Sequence, residues 1–331
     1  MTSVYRTLTG ERLVDVMAES VRRFVERLEP HRLYVFVSGG KDSAAAAAAV
    51  AYAGDSILRR AVVVYNEIVG NSHPWNVEQA YRVARSLGFE EPVVVESLEG
   101  VAYAVYSGAR SLHIRARDRR GRGFWGALLE WGVPVLTPGG RLRWCLHEFK
   151  VRWWLRLPAE TGYRRYSIVG VKARDSRLRL SRWSGAVGST RIVRWRLGSA
   201  TITEYMHSPV LHMTDEQVWQ ALREAGIDRH MRTYELCGDS LNCTFCPLRD
   251  AKRQRRIVEC VAQTPEGRAI LAEAKTALER LTRTHTETVT GRKAREWLEA
   301  IHDTLGRGTQ ARSNRRSRQG GAGHTASTGH K

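Results

Sequence analysis

The segment YVFVSGGKDSAAAAAAV, residues 34–50, constrains the fold of this chain more than any other stretch. An apolar run typical of a buried strand ends at Val37, and six consecutive alanines begin at Ala44. Because alanine is the best helix former, the second half predicts a helix, and one slim enough to pack closely against a sheet. The polar residues in between predict a tight loop that joins the strand to the helix.

This loop has the composition of a phosphate-binding site. Glycine allows sharp backbone turns and lets a ligand approach without a Cβ atom in the way. Successive N–H groups in such a turn attract anions, and the following helix directs its positive end to the same place. The spacing differs from the GxxxxGK[ST] of the common P-loop, and an ordinary Gly-Gly turn is the alternative. The residues predicted to contact phosphate are Ser38, Gly39, Gly40, Lys41, Asp42 and Ser43.

Strand and helix patterns alternate along the first hundred residues. Apolar runs typical of buried strands occupy residues 32–37, 60–66 and 92–97, and helical spacing of apolar residues occurs at 11–28 and 73–88. Continuously apolar strands that alternate with helices are typical of a parallel sheet covered on both faces. We therefore expect an α/β protein with a doubly wound, mainly parallel sheet and a small C-terminal helical lobe that bears the cysteines.

The charge of the chain favours anionic partners. Its 331 residues carry a formal net charge of +19, mostly from arginine. A GC-rich genome also favours arginine, so the bias alone does not identify a partner, but such a surface attracts nucleotides, sulfate esters or nucleic acid. No apolar run reaches the roughly 18 residues of a membrane helix, and the N-terminus lacks an apolar secretion core. We expect a cytoplasmic protein without a membrane partner.

Four parts are predicted along the chain. They are an N-terminal helix at 1–30, a nucleotide-binding domain at 31–232, a cysteine-rich loop with helices at 233–305, and a basic tail at 306–331. Thr214 and Gln217 have the spacing of a capping box at the start of a helix. The tail is rich in glycine, serine and arginine and has too little apolar surface to offset the entropy of ordering, which predicts disorder.

The spacing of the cysteines favours a metal site. An odd number of cysteines in a cytosolic chain argues against a disulfide framework. Three of the five lie within ten residues, and Cys145 is available as a fourth ligand; His147 is another candidate donor. Four thiolates suit an iron–sulfur cluster or zinc, and free buried thiols are the alternative. The predicted ligands are Cys145, Cys237, Cys243 and Cys246, whereas Cys260 is expected to be a small buried residue of a helix.

The hexapeptide Ser38–Ser43 resembles the PP-loop of the ATP-pyrophosphatase superfamily. Members of that superfamily cleave ATP to AMP and pyrophosphate and adenylate a substrate, or they bind an adenylyl sulfate. Later segments resemble, in order, the phosphoadenylyl-sulfate (PAPS) reductase-like family, including archaeal-type reductases and sulfurtransferases. The similar segments are Arg143–Lys150, Val169–Arg179, His207–Trp219 and Thr233–Leu248. The resemblance covers roughly residues 30–250; residues 100–140 and the tail match nothing comparable.

The resemblance extends to a turn after a later strand. The family's GxRxxES turn holds the phosphate or sulfate end of the nucleotide, and here Lys172 stands in place of the usual arginine. Arg174, Ser176 and Arg177 lie within the same turn and are expected to donate hydrogen bonds to the oxyanion. A solvated basic surface turn is the alternative.

Two acidic residues have predicted roles near the nucleotide. Asp42 is expected to bind Mg²⁺, which neutralises polyphosphate charge. Glu67 follows the second strand, near the expected position of the adenosine, and a solvated loop carboxylate is its alternative role.

The cysteines depart from the family pattern in two places. Relatives with cysteines after RW and in the late CxxC loop often carry a 4Fe–4S cluster, usually with a Cys-Cys pair at the first place. Here that place is Trp144-Cys145, and Cys237 is expected to supply the missing ligand, with zinc as the alternative to the cluster. True sulfonucleotide reductases also use a cysteine in a C-terminal ECGxH-like motif, which this chain lacks.

These features predict a PAPS-reductase-like enzyme with Lys41 and Asp42 as catalytic residues. It would bind ATP or an adenylyl sulfate and transfer sulfur to an adenylated acceptor. That acceptor could be a nucleic acid such as tRNA or DNA, with the Trp and Arg residues between 141 and 196 stacking on bases. The alternatives are a PAPS or APS reductase that releases sulfite, and a nucleic-acid-binding protein on the same fold. The sulfur donor and the oligomeric state are not indicated.

Overall fold

The structure of the protein is a computed structural model, and it describes most of the chain. The described residues are 10–89, 93–97, 102–107, 111–116, 123–133, 144–146, 149–150, 157, 159–197, 199–246, 249–286 and 288–320. Candidate ligand His147 lies outside them.

Helices and strands alternate through the first two thirds of the chain. The strands are β1 Leu33–Phe36, β2 Ala61–Glu67, β3 Val93–Ser97, β4 Ala102–Ser107, β5 Ser111–Ala116, β6 Arg164–Val169, β7 Thr190–Leu197 and β8 Ala200–His207. The helices are α1 Leu13–Leu28, α2 Lys41–Tyr52, α3 Asp55–Leu58, α4 Pro74–Ser86, α5 Gly123–Trp131, α6 Trp144–Leu146, α7 Arg177–Trp183, α8 Asp215–Glu224, α9 Arg232–Cys237, α10 Ala251–Val261, α11 Pro265–Thr284 and α12 Val289–Gly320. Among the helices so described, none is both long enough and apolar enough to cross a bilayer.

The described strands form one eight-stranded sheet in the order β4-β5-β3-β2-β1-β6-β8-β7. The strands from β5 to β8 in that order pair in parallel, so that Val35 of β1 lies between Val63 of β2 and Ile168 of β6. Only β4 and β7, at the two edges, are antiparallel to their neighbours. The prediction of an α/β protein with a mainly parallel sheet is confirmed.

The sheet is buried on both faces, as consecutive residues of β1 show. Leu33 and Val35 belong to a core that includes α1, α2, α4 and α8. Tyr34 and Phe36 belong to a second core, which includes Trp183 of α7. Because side chains alternate along a strand, an apolar strand such as β1 contributes to both cores.

The alanine helix lies at the centre of the first core. All six alanines from Ala44 to Ala49 are buried, and α2 contacts α1, α8 and β1. Their small side chains let neighbouring elements approach from several directions. At α8, the Thr214 hydroxyl accepts the Gln217 N–H at 3.3 Å and the Gln217 side chain accepts the Thr214 N–H at 2.7 Å. The predicted capping box is therefore confirmed.

A separate helical lobe follows the sheet. Helices α10, α11 and α12 share a core around Leu271, Leu278 and the fully buried Trp297. Helix α5, from the middle of the chain, joins this lobe through Phe124 and Leu128. The lobe at 233–305 was predicted, whereas the contribution of α5 was not, because its packing depends on contacts far apart in sequence.

The C-terminal segment differs from the predictions. α12 runs to Gly320, so residues 306–320 are helical where the composition predicted disorder; residues 321–331 are outside the described part. Arginine, glutamine and alanine are good helix formers, and extending an existing helix avoids the cost of nucleation.

Candidate functional site

Two polar loops meet where the winding direction of the sheet reverses. From β1 the chain adds β2 and β3 on one side, and it later places β6 on the other side of β1. The loop Ser38–Ser43 follows β1, and a turn at 170–176 follows β6. In open α/β sheets, ligands bind in the crevice at such a reversal, outside the carboxyl ends of the strands. The topology thus brings together the two segments that were predicted to bind nucleotide.

The Ser43 hydroxyl closes the first loop. Ser43 Oγ accepts the N–H of Ser38 at 3.1 Å and donates to the carbonyl of Gly40 at 2.8 Å. Gly39 has a φ of +74°, which residues with a side chain rarely adopt. Gly40 is the N-cap of α2 and brings no capping side chain. The helix therefore presents backbone N–H groups and its positive end to the loop.

Two buried amides of α4 hold this loop in place. Asn76 donates to the Ser38 carbonyl at 2.8 Å, and Gln79 donates to the Gly39 carbonyl at 2.5 Å. The Asn76 side chain also accepts the N–H of Leu241 at 2.9 Å. The side-chain amide of Asn76 therefore joins the loop Ser38–Ser43 to the cysteine-bearing segment.

A cluster of two lysines and three carboxylates lies where the loop and the turn meet. Lys41 Nζ is 3.0 Å from Asp42 and 3.1 Å from Asp215. Lys172 Nζ contacts Asp215, is 3.3 Å from Asp175 and is 3.5 Å from Asp42. The side chain of Lys172 is only 5% exposed, and these carboxylates compensate the burial of its ammonium group. A polyphosphate with a divalent cation presents the complementary charges, phosphate for the lysines and metal for the carboxylates.

The protonation states of Lys41 and Tyr234 fit a site that binds phosphate. Burial works against the charge of Lys41, but Asp42 and Tyr234 outweigh it and hold the pKa of Lys41 above its ordinary value. Burial raises the pKa of Tyr234 to about 12, so the phenol stays neutral. Its oxygen accepts the N–H of Lys41 at 3.3 Å. Lys41 is therefore a cation at neutral pH at the first position of α2.

Gly170 allows the turn after β6 to reach the loop. A Cβ atom built on Gly170 would lie 2.5 Å from the carbonyl carbon of Asp42 and from Cα of Ser43. Those are backbone atoms at the start of α2, which cannot move aside without breaking the helix start. Any larger residue at this position would separate the loop from the turn.

The other predicted residues of the turn have different positions. Ser176 is the N-cap of α7, and its hydroxyl accepts the N–H of Arg179 at 3.2 Å. Arg174 and Arg177 are exposed, and within the described part of the chain neither side chain contacts the lysine–carboxylate cluster. Of the four residues predicted in this turn, the structure places only Lys172 within the cluster.

Glu67 ends β2, on the opposite side of β1 from the turn. It lines a groove of about 680 Å³ together with residues of α4, among them Val77, Glu78 and Tyr81. The predicted position at the end of the second strand therefore borders a concavity.

The cysteine-bearing segment is interlocked with the loop that follows β2. Asn71 donates to the Phe245 carbonyl at 3.0 Å and accepts its N–H at 2.8 Å. The Ser72 hydroxyl donates to the Asn242 carbonyl at 2.7 Å. Arg249 lies inside the segment and donates to the Cys243 carbonyl at 2.7 Å. Buried hydrogen bonds thus fix the cysteine-bearing segment beside the loop Ser38–Ser43.

Cys237 is not a free thiol. It forms a disulfide with Cys260, which packs the end of α9 against α10. The prediction of Cys237 as a metal ligand is therefore wrong for this structure, whereas Cys260 is the buried helix residue that was predicted and is in addition paired with Cys237. The physical reason is proximity in the fold, because α9 and α10 bring the two Cα atoms to 5.5 Å, a separation typical of disulfides.

The remaining thiols of the predicted site are Cys145, Cys243 and Cys246. Burial and, to a smaller extent, the nearness of Cys243 and Cys246 together raise the pKa of Cys145 to about 12. Burial likewise raises the pKa of Cys243, while Lys150 acts in the opposite direction on both. The three sulfurs therefore lie in one neighbourhood beside a cation.

This set does not fit a finished metal or cluster site. Within the described residues, no three Cys, His, Asp or Glu side chains are placed to hold one metal ion. A 4Fe–4S cluster or a structural zinc takes four protein ligands, and the disulfide removes the predicted fourth, Cys237.

Several residues of the site were missed from the sequence. Asn76 and Gln79 have a signal in retrospect: they occupy the inward face of α4, one turn before the buried Ala80 and Val83. Polar residues at buried helix positions call for fixed hydrogen-bond partners. Asp215 and Tyr234 had no signal, because only the fold brings them to Lys41.

A scan against protein-family models finds no match, and a search of curated proteins finds no similar sequence. The function proposed below therefore depends on the geometry of the loop, the turn and the thiols.

Proposed function

We propose that the protein is a PP-loop enzyme that binds ATP, or an adenylyl sulfate, between the loop Ser38–Ser43 and the turn at 170–176. The observation that supports this most strongly is the contact at Gly170, which places Lys172 beside Lys41 and Asp42 at the sheet reversal. An ordinary Gly-Gly turn would need neither a second buried lysine nor a backbone contact this close.

The residues of the cluster have separate roles in this proposal. The backbone N–H groups at the start of α2 and the ammonium groups of Lys41 and Lys172 bind the phosphates. Binding draws the lysines away from their carboxylate partners, so Asp42 and Asp215 become available to Mg²⁺. The ion would neutralise phosphate charge and polarise the phosphorus that is attacked. Tyr234 fixes the start of α2 through its contact with the Lys41 N–H.

The proposed reaction is adenylation of an acceptor followed by sulfur transfer. An acceptor oxygen attacks the α-phosphorus of ATP and pyrophosphate leaves. A hydrosulfide nucleophile then attacks the acceptor atom that bears the adenylated oxygen, the bond from that atom to the oxygen breaks, and AMP leaves with the oxygen. The nearby free thiols Cys145, Cys243 and Cys246 support sulfur chemistry next to this site. Reduction of the Cys237–Cys260 disulfide would be required before four thiols could hold a cluster or zinc, and no step of the proposal depends on such a group.

Calorimetric titration with Mg²⁺ and a non-hydrolysable ATP analogue tests the nucleotide site. Lys41→Met should weaken binding by about 10- to 150-fold, because a hydrogen bond to a charged group is worth about 1.5–3 kcal/mol. Lys275→Met is the matched control, since it removes the same charge from a half-exposed position of α11, where Lys275 pairs with Glu279 at 3.8 Å. Equal affinity of wild type and Lys41→Met would refute the proposed site.

The reductase alternative is separated by its product. Reduction of PAPS needs an accessible thiolate that attacks sulfur, whereas Cys237 and Cys260 are buried in a disulfide and burial raises the pKa of Cys145 and Cys243. We expect little sulfite from PAPS with thioredoxin, and AMP with pyrophosphate from ATP once an acceptor is supplied. Rapid thioredoxin-dependent sulfite release without ATP cleavage would make the reductase the better assignment.

A further inference from the structure

One segment of the chain carries an unbroken run of positive charge. Residues 176–203 contain no aspartate, glutamate or lysine. Their six arginines are Arg177, Arg179, Arg182, Arg191, Arg194 and Arg196. Nothing in the architecture of α7 or β7 requires this composition, since a solvated helix and an edge strand normally mix charges of both signs.

The fold spreads these arginines over both sides of a sheet edge. β7 is the outermost strand and pairs with β8 only. Arg194 and Arg196 are exposed on one face of β7, because alternate residues of a strand share a face. Their Cα atoms are about 6.8 Å apart, twice the rise per residue of a strand. Arg191 lies on the other face, close to Arg182 of α7.

Most of these guanidinium groups lack a carboxylate partner. In the described part of the chain, Arg179 pairs with Asp175, while the other five arginines form no ion pair. Helix α1 offers the contrast: there Arg12 pairs with Asp15, and Arg22 pairs with Glu19. Counter-charge is therefore scarcer at this edge of the sheet than at the start of α1. We refer to Arg177, Arg182, Arg191, Arg194 and Arg196 as the α7–β7 arginine surface.

Two of these arginines repel each other. Burial lowers the pKa of Arg191, and the nearby guanidinium of Arg182 lowers it further. A protein that keeps two cations together without a carboxylate stores unfavourable energy that a bound anion would relieve. Such a pair of cations favours the binding of an anion.

The surface also exposes apolar side chains between the charges. Leu180 is 58% exposed, Val187 69% and Ile192 57%. A small anion gains nothing from such groups, whereas a polymer with phosphates and apolar base or sugar faces can use both kinds of contact. The length of β7, eight residues or about 27 Å, also exceeds what one nucleotide can cover.

We propose that the α7–β7 arginine surface binds the phosphate backbone of a nucleic-acid strand. Planar guanidinium groups match phosphate geometry, and arginines on both faces of this sheet edge match the repeating charge of a polymer that passes around the edge. The surface adjoins the candidate nucleotide site, because α7 begins at Arg177, two residues after Asp175 contacts Lys172. The binding itself does not depend on the proposed function, since no residue of the lysine–carboxylate cluster takes part in it.

The test is fluorescence anisotropy with labelled single-stranded RNA and DNA of one sequence, over a KCl series, with the full chain. The variant is Arg194→Gln/Arg196→Gln, which removes two charges from exposed positions and leaves the core intact. Loss of two single-strand phosphate contacts should lower the slope of log affinity against log salt by about 1.4, and affinity at 0.1 M salt by about 25-fold. Mg²⁺–ATP affinity should not change.

The matched control is Arg280→Gln/Arg283→Gln, which removes two exposed charges from α11. Its affinity and salt slope should stay close to those of wild type. An equal loss in the control would show that binding follows net charge and would overturn the proposal, as would unchanged affinity in the β7 variant.

Vesicles of phosphatidylserine and phosphatidylcholine provide a further comparison. If they bind more tightly than the oligonucleotides and depend on the same arginines, the surface serves membranes instead and the proposal is wrong.

Discussion

Gly170 lies directly against the backbone of Ser43, with no room for a Cβ atom between them. This contact couples the turn after β6 to the start of α2. Gly170→Ala should therefore push the two loops apart, weaken Mg²⁺–ATP binding by more than tenfold and destabilise the fold by about 1–3 kcal/mol, as overpacking in a tight site does. Calorimetry and urea unfolding measure the two effects.

Gly185 provides the control for that substitution. A Cβ atom on Gly185 meets nothing within 4 Å, and its φ is not in the left-handed region. Gly185→Ala should leave nucleotide affinity unchanged. If Gly170→Ala behaved in the same way, the close contact of loop and turn would have no functional importance.

The hydrogen bonds of Asn76 predict that the loop Ser38–Ser43 and the cysteine-bearing segment are coupled. Asn76→Ala removes the donor to the Ser38 carbonyl and leaves the buried N–H of Leu241 without its acceptor. Such a loss costs about 1–3 kcal/mol for each stranded group. We expect lower stability by urea unfolding together with weaker binding of the ATP analogue. Asn76→Asp should also fail, because a carboxylate cannot donate to the Ser38 carbonyl.

A buried histidine predicts how stability depends on pH. His207 Nε2 lies 3.0 Å from Ser20 Oγ, its Nδ1 lies 3.0 Å from Thr190 Oγ1, and its ring stacks on Phe24 at 4.9 Å. Burial and, to a smaller extent, the nearby Arg27 together lower the pKa of His207 to about 4. The unfolded chain, with a pKa near 6.5, binds the proton more readily.

The stability contributed by neutral His207 is therefore fully present above about pH 6.5 and is lost as the pH falls towards 4. The full effect is about 3 kcal/mol, from 1.36 kcal/mol for each pH unit of difference. His73, whose pKa burial also lowers, acts in the same direction. His207→Gln should flatten the acid side of the stability curve measured by urea unfolding, and His31→Gln, at an exposed position, should not.

Much of the fold follows from the sequence because its signals are local. The strand–loop–helix unit at 34–50, the alternation of apolar strands with helices, and the capping box at Thr214 each depend on residues close in sequence. The structure has each of them. The loop Ser38–Ser43 could be located for the same reason, since its glycines and charged residues are consecutive in the sequence.

The rest of the site depends on contacts that no local pattern encodes. Asp215 reaches Lys172 across 43 positions, and Tyr234 reaches Lys41 across 193. The pairing of Cys237 with Cys260 was missed because spacing favours a metal for clustered cysteines, whereas the disulfide depends on how α9 packs on α10. Arg174 and Arg177 were placed at the site by resemblance, but both are exposed, and among the described residues neither side chain contacts the lysine–carboxylate cluster.

The disulfide allows the roles of the cysteines to be separated by stability. It closes a loop of 23 residues, which corresponds to about 3 kcal/mol from restriction of the unfolded chain. Cys237→Ala and Cys260→Ala should therefore each lower the free energy of unfolding by a similar amount, and a reductant should lower that of wild type but not of either variant. Cys243→Ala, outside the disulfide, should keep the response to reductant.

Iron and zinc analysis of the same four proteins, wild type and the three variants, completes the test. If Cys237 were a ligand and not a disulfide partner, Cys237→Ala would lose metal while Cys260→Ala kept it, and their stabilities would differ. Equal stabilities and equal metal contents in these two variants would support the disulfide.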